Sequence, residues 1–170
     1  MWRRIIYHPE VNYALRQTLV LCLPVALGWL CGDLQKGLLF SLVPACCNIA
    51  GLDTPHKRFF KRLIVGGTLF ATGSFLIQYL TDAAIPLPLI MLVLPLLIGV
   101  TGEISPLHGR LLPGTLIAAI FTLSLAGRMP IWVPPLLYIG GTFWYGLFNW
   151  FWYWLWKEQP MRETLSLLYR

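Results

Sequence analysis

Lys57, Arg58, Lys61 and Arg62 fall within six residues, with Asp53 and His56 just before them. The stretch reads GLDTPHKRFFKRL, and long apolar runs flank it on both sides. So dense a cluster of positive charge does one of two things beside apolar segments. It holds a loop on one side of a membrane, or it gathers an anion. Arginine suits the second task, because its guanidinium meets a carboxylate through paired hydrogen bonds. Arg16 sits about one turn into the first apolar run, Arg110 opens the fifth, and Glu103 closes the fourth. Ionisable groups at such boundaries are costly and often functional. Arg16, Arg58, Lys61, Arg62 and Arg110 are therefore candidate anion-binding residues. Asn48, a strongly polar amide in a short apolar run, either joins them or bonds a neighbouring helix. Asp53 and Glu103 are candidate proton-coupling carboxylates, or ion-pair partners at an interface. For each cation the competing reading is a side chain that snorkels to lipid headgroups.

No other chemistry is proposed by the spacing. His8, His56 and His108 lie in polar segments, and no serine or cysteine nucleophile is paired with a histidine and an orienting carboxylate. Glycine-rich phosphate loops are absent, so the chain does not read as an enzyme and implies no cofactor. The four cysteines, Cys22, Cys31, Cys46 and Cys47, all fall in apolar runs without a Cys-x-x-Cys pair. They read as small apolar residues packed between helices rather than as metal ligands. The net charge of +6 comes without an arginine-rich helix, finger spacing or aromatic platform, which argues against nucleic acid.

The elements that must position the charges are apolar. The chain is 57% hydrophobic and only 12% charged, against about 25% charged residues in a soluble domain. It reads as an all-α integral membrane protein. Six apolar segments are expected as spans: Gln17 to Gly32 (extending back to Val11), Gly37 to Leu52, Leu63 to Thr81, Ala83 to Gly102, Leu111 to Gly127 and Ile131 to Trp156. The connecting segments are brief, so the bundle is expected to form as three hairpins. Eleven of the thirteen Lys and Arg residues fall on one side of these spans, leaving Lys36 and Arg128 on the other. Positive loops stay in the cytoplasm, which places both termini there. The basic start, MWRRIIYHPEVNYALRQ, reads as a retained interfacial segment rather than a cleaved signal.

Further features shape the spans. Trp150, Trp152, Trp154 and Trp156 precede Lys157 and read as a cytoplasmic-side aromatic belt, with a substrate-stacking wall as the alternative. Pro24, Pro44, Pro95 and Pro113 each free a carbonyl inside a span, as simple kinks or as part of a pore lining. GGTLF at Gly66 to Phe70 and GGTFW at Gly140 to Trp144 read as two close-packing sites. The spans occupy residues 1–157, and residues 158–170 read as the start of a cytoplasmic helix or domain.

The stretches YALRQTLVLCLPVALG, LLFSLVPACCNIAGLDTPHKRFFKRLIVGGTLFATG, LLPGTLIAAIFTLSLAG and WYGLFNWFWYWLWKEQPMRETLSLLYR resemble the N-terminal membrane half of YccS/YhfK-type inner-membrane proteins. These belong to the fusaric-acid-resistance and aromatic-acid-exporter superfamily. The superfamily pattern of Arg, Gly-Thr and Gly falls on Arg62, Gly67, Thr68 and Gly73, with extra spacing after the arginine. The resemblance implies six spans followed by a cytoplasmic domain, with the whole arrangement repeated in a longer protein. It also implies export or permeation of organic anions, aromatic carboxylates among them, across the bacterial inner membrane. Two six-span units, as in a dimer, would form the path, and a periplasmic adaptor is an implied partner. The dimeric anion channels that carry malate in plants are similar in their membrane part. The rival reading is a non-transporting scaffold that anchors cytoplasmic domains.

Overall fold

The computed structural model describes residues 9–50, 59–103, 106–125 and 127–155. Among the described residues the chain forms six helices and no strand. We number them α1 (Pro9–Leu30), α2 (Leu34–Ile49), α3 (Phe59–Asp82), α4 (Leu87–Glu103), α5 (Pro106–Ser124) and α6 (Val133–Leu155). Two of them, α1 from Glu10 and α3, are long and apolar enough by themselves to cross a membrane. The helix α2 has 16 residues, so it is about 24 Å long, shorter than a bilayer core of about 30 Å.

Several helices begin earlier than the apolar runs. The helix α3 starts at Phe59, so Lys61 and Arg62 belong to its first turn rather than to a loop. The helix α5 starts at Pro106 and carries His108 and Arg110. Proline suits the first turn of a helix, because the missing N–H has no intrahelical partner there. A charge ends a hydropathic run but not a helix, since long cationic side chains reach sideways to water.

Four helices close a ring: α2 packs on α6, α6 on α3, α3 on α5, and α5 back on α2. The helix α1 lies outside the ring against α2, and α4 lies outside against α5. Of the three hairpins expected, α1–α2 is plain, while α3 touches α4 but packs more extensively on α5 and α6. Beyond α1–α2, α4 pairs with α5 and α3 pairs with α6. In lipid no hydrophobic force discriminates between helix faces, so small residues that allow close approach decide the partners. The two Gly-Gly-Thr motifs meet in this way. A Cβ added at Gly67 would lie 3.0 Å from the Thr142 side chain, and one at Gly146 would strike Leu63. These contacts set α3 and α6 antiparallel.

Inside the ring, Leu39, Val43, Cys46, Cys47, Leu63, Phe70, Leu111, Ala118, Tyr138 and Tyr145 form a buried cluster. The outward faces carry Leu19, Leu23, Leu27, Leu92, Leu96, Leu136 and Phe143, all exposed. Apolar residues thus cover the outside, while Ser74, Thr115, Thr122, Thr142 and Asn149 are buried. This distribution suits a lipid surround rather than water. Of the cysteines, Cys46 and Cys47 pack inside as expected, whereas Cys22 and Cys31 are exposed on α1 and at its end. Their small size places no demand on which face of α1 they occupy.

Two of the prolines, Pro24 and Pro44, free carbonyls that face α6. Pro24 leaves the Val20 carbonyl without its usual N–H. The Trp144 indole of α6 donates to that oxygen at 3.3 Å. Pro44 likewise frees the Phe40 carbonyl, and Gly141 lies against it: a Cβ there would come within 2.8 Å of the oxygen. The α1–α2 turn closes on Gly32, whose φ of +75° is open to glycine. The Asp33 amide then reaches the Gly28 carbonyl at 2.9 Å, satisfying the end of α1.

Candidate functional site at the positive end of the bundle

One end of the bundle collects the start of α1, the end of α2, the starts of α3 and α5, and the end of α6. The α1–α2 pair brings Tyr13, Arg16 and Asn48 together there. The Tyr13 hydroxyl donates to Asn48 Oδ1 at 2.7 Å. The Arg16 guanidinium carbon stands 5.2 Å from the centre of the Tyr13 ring, a cation–π distance. Arg16 and Asn48 are half-buried. Asn48 thus makes a contact with a neighbouring helix, one of the two roles expected of it.

The remaining candidates are spread around the same end. Lys61 is exposed and Arg62 half-buried in the first turn of α3, and Arg110 is exposed on α5. Among the described residues, the ion pair formed is Lys36 with Asp33 at 2.8 Å, at the far end beside the α1–α2 turn. Arg58 and Asp53 lie outside the described residues, as does the side chain of Glu103 at the end of α4. No group of three metal-ligating side chains gathers among the described residues.

Sequence reasoning passed over a second polar set. Asn12 and Asn149 are both buried, and Trp152 on α6 donates its indole N–H to Asn12 Oδ1 at 2.8 Å. Asn149 donates to the Tyr145 carbonyl at 2.9 Å. Trp144, Phe148 and Trp152 form a ladder down α6, with ring centres 5.7 and 5.8 Å apart. The tryptophan cluster is therefore divided. Trp150 and Trp154 are exposed in the manner of a belt, while Trp144 and Trp152 are half-buried and turn their N–H groups to α1. The spacing of four residues from Trp144 to Phe148 to Trp152 is the signal that marks this inner face.

Positive charge, amides and a cation–π pair at one end of an apolar bundle are found alongside a family match. Residues 62–170 fit the model described as FUSC-like inner membrane protein yccS. The chain belongs to the FUSC-like inner-membrane family. It is also 70% identical over all 170 residues to "Uncharacterized protein YhfK" of Escherichia coli (strain K12). The chain spans about a quarter of that relative, 24% of its length. No solved structure matches the chain. The FUSC-like match begins at Arg62, at the start of α3, and takes in Arg110. Tyr13, Arg16 and Asn48 lie before it.

Proposed function

We propose that this chain is a membrane module of an organic-anion export or permeation protein, and that anions pass along the outside of its bundle. The observation that carries this reading is where the polar groups lie. The ring interior is filled by Leu39, Val43, Phe70 and Leu111. Tyr13, Arg16 and Asn48 lie on the α1–α2 pair, with Lys61 and Arg110 exposed at the same end. A path along an outer face is completed by a second membrane unit, either another copy in a dimer or another part of a longer protein. Aromatic carboxylates are the favoured cargo, held by Arg16 and Arg62 with Arg58, Lys61 and Arg110 at the entrance. Asp53 and Glu103 are the carboxylates to which proton coupling is assigned, and a periplasmic adaptor would receive the cargo.

In this reading all six helices cross the inner membrane with both termini cytoplasmic. Exposed aromatics support it at both ends: Tyr13, Phe60, Trp150 and Trp154 at the positive end, Trp29, Tyr79 and Trp132 at the other. Local thinning and snorkelling accommodate the short α2. The same filled interior favours the scaffold reading, in which these helices anchor cytoplasmic domains and the cations contact anionic lipid.

Tracer flux in proteoliposomes separates the two. The expected result is saturable flux of a benzoate-like or malate-like tracer that falls about tenfold or more in Arg62→Gln and Arg16→Gln. Flux that both variants leave unchanged would sink the assignment of these arginines. No flux from correctly inserted protein, alone or within the longer chain, would favour the scaffold.

A further inference from the structure

Buried serine and threonine hydroxyls in this bundle bond carbonyls of their own helices. Ser74 donates to the Ala71 carbonyl at 2.9 Å, Thr115 to Leu111 at 2.9 Å, and Thr142 to Tyr138 at 2.7 Å. Gln78 on α3 does not. It is 3% exposed, and neither Nε2 nor Oε1 has a hydrogen-bond partner among the described residues. A primary amide in apolar surroundings without partners is costly to keep there.

Its place in the fold explains the deficit. Gly67 against Thr142 and Leu63 against Gly146 fix the antiparallel register of α3 and α6. Carried toward the far end, that register sets Gln78 level with residue 131, just before α6 begins. Pro134, buried in the first turn of α6, and Pro135 after it carry no N–H to offer. The Tyr138 hydroxyl one turn further is already engaged, donating to the Ala118 carbonyl at 2.8 Å with Thr122 Oγ1 at 3.1 Å. The amide atoms have essentially no accessible surface, so a water molecule does not fit beside them in this packing. Ser74, four residues earlier on the same face of α3, is fully buried as well.

We infer that the far end of the α3–α6 seam is a gate, closed here, which Gln78 biases toward opening. In the closed packing the amide forfeits all its hydrogen bonds. Parting α6 from α3 at its first turn admits water to Gln78 and restores them, so the amide lowers the free-energy gap between closed and open states. Gly67 and Thr142 mark the tight contact about which the seam parts. The inference stands apart from the anion reading, since a scaffold would carry the same seam.

The test uses the chain in lipid nanodiscs with cysteine placed at the seam by Ser74→Cys and the native cysteines replaced by serine or alanine. A small water-soluble thiol reagent is expected to label that cysteine slowly. Adding Gln78→Leu removes the unsatisfied amide at similar length. Labelling is then expected to slow about tenfold or more, with a rise in Tm. Gln78→Met, a second apolar replacement, is expected to behave alike. A rise in Tm with unchanged labelling would show a static cost without gating and overturn the proposal. A fall in Tm in both apolar variants would overturn it too, by showing that the amide has a partner in the ground state. So would complete absence of labelling in the parent protein.

Discussion

Tyr13 is the hinge of the candidate site, because one side chain serves both of its neighbours. Its hydroxyl holds Asn48 Oδ1 and its ring lies under Arg16. Tyr13→Phe keeps the ring and removes the bond to Asn48. A double-mutant cycle with Asn48→Ala, read by unfolding in bicelles, is expected to give a coupling of about 0.6 kcal/mol, the usual size for such bonds between membrane helices. A coupling near zero would mean that the bond contributes nothing to holding α1 on α2. The sequence made Arg16 and Asn48 visible, because each interrupts an apolar run. It could not pair them through Tyr13, which looks like one more interfacial aromatic. Gln78 shows the opposite failure. It sits near the end of an apolar segment, where a polar residue reads as a boundary, and only the packed bundle makes its burial apparent.

At the scale of helices, proline and small residues decide the partners. Pro24 and Trp144 lie on different helices yet share the Val20 carbonyl. Trp144→Phe should therefore cost about 1 kcal/mol or more, since it leaves that oxygen unmet in an apolar surround. Pro24→Ala restores the N–H at position 24, so the same tryptophan change is expected to cost less in that background. Equal costs in both backgrounds, measured by thermal or denaturant unfolding, would separate the two residues. Gly28 and Gly37 make a close backbone approach between α1 and α2: a Cβ at Gly28 would lie 2.7 Å from the Gly37 Cα. Backbone cannot swing aside as a flexible side chain does. Gly28→Val is accordingly expected to prise the pair apart, destabilising the protein by about 1–3 kcal/mol and weakening the Tyr13–Asn48 bond. Helix positions were legible from hydropathy because each apolar run maps onto one helix. Pairing was not, because it rests on contacts such as Gly67 with Thr142, which are remote in sequence. Short connections suggested hairpins, and the tight glycine contacts sent α3 to α6 instead.

For the whole molecule, the decisive matter is which end faces the cytoplasm. The positive end carries Arg16, Lys61, Arg62 and Arg110, whereas Lys36 at the far end is tied to Asp33. A charge bias of this kind orients a bundle with its positive end inside. The chain holds its own reporter in Cys31, which is exposed in the turn between α1 and α2. The other cysteines are poor reporters: Cys46 and Cys47 are buried, and Cys22 lies mid-helix on a face that lipid would cover. Thiols react as thiolates and need water to ionise, so only Cys31 should react readily. A membrane-impermeant maleimide applied from the periplasmic side of the inner membrane is expected to label the protein, and Cys31→Ser to abolish the signal. Labelling only after the reagent reaches the cytoplasm would invert the bundle. The arginines would then face the periplasm, where they would meet anions arriving from outside rather than cargo leaving the cell.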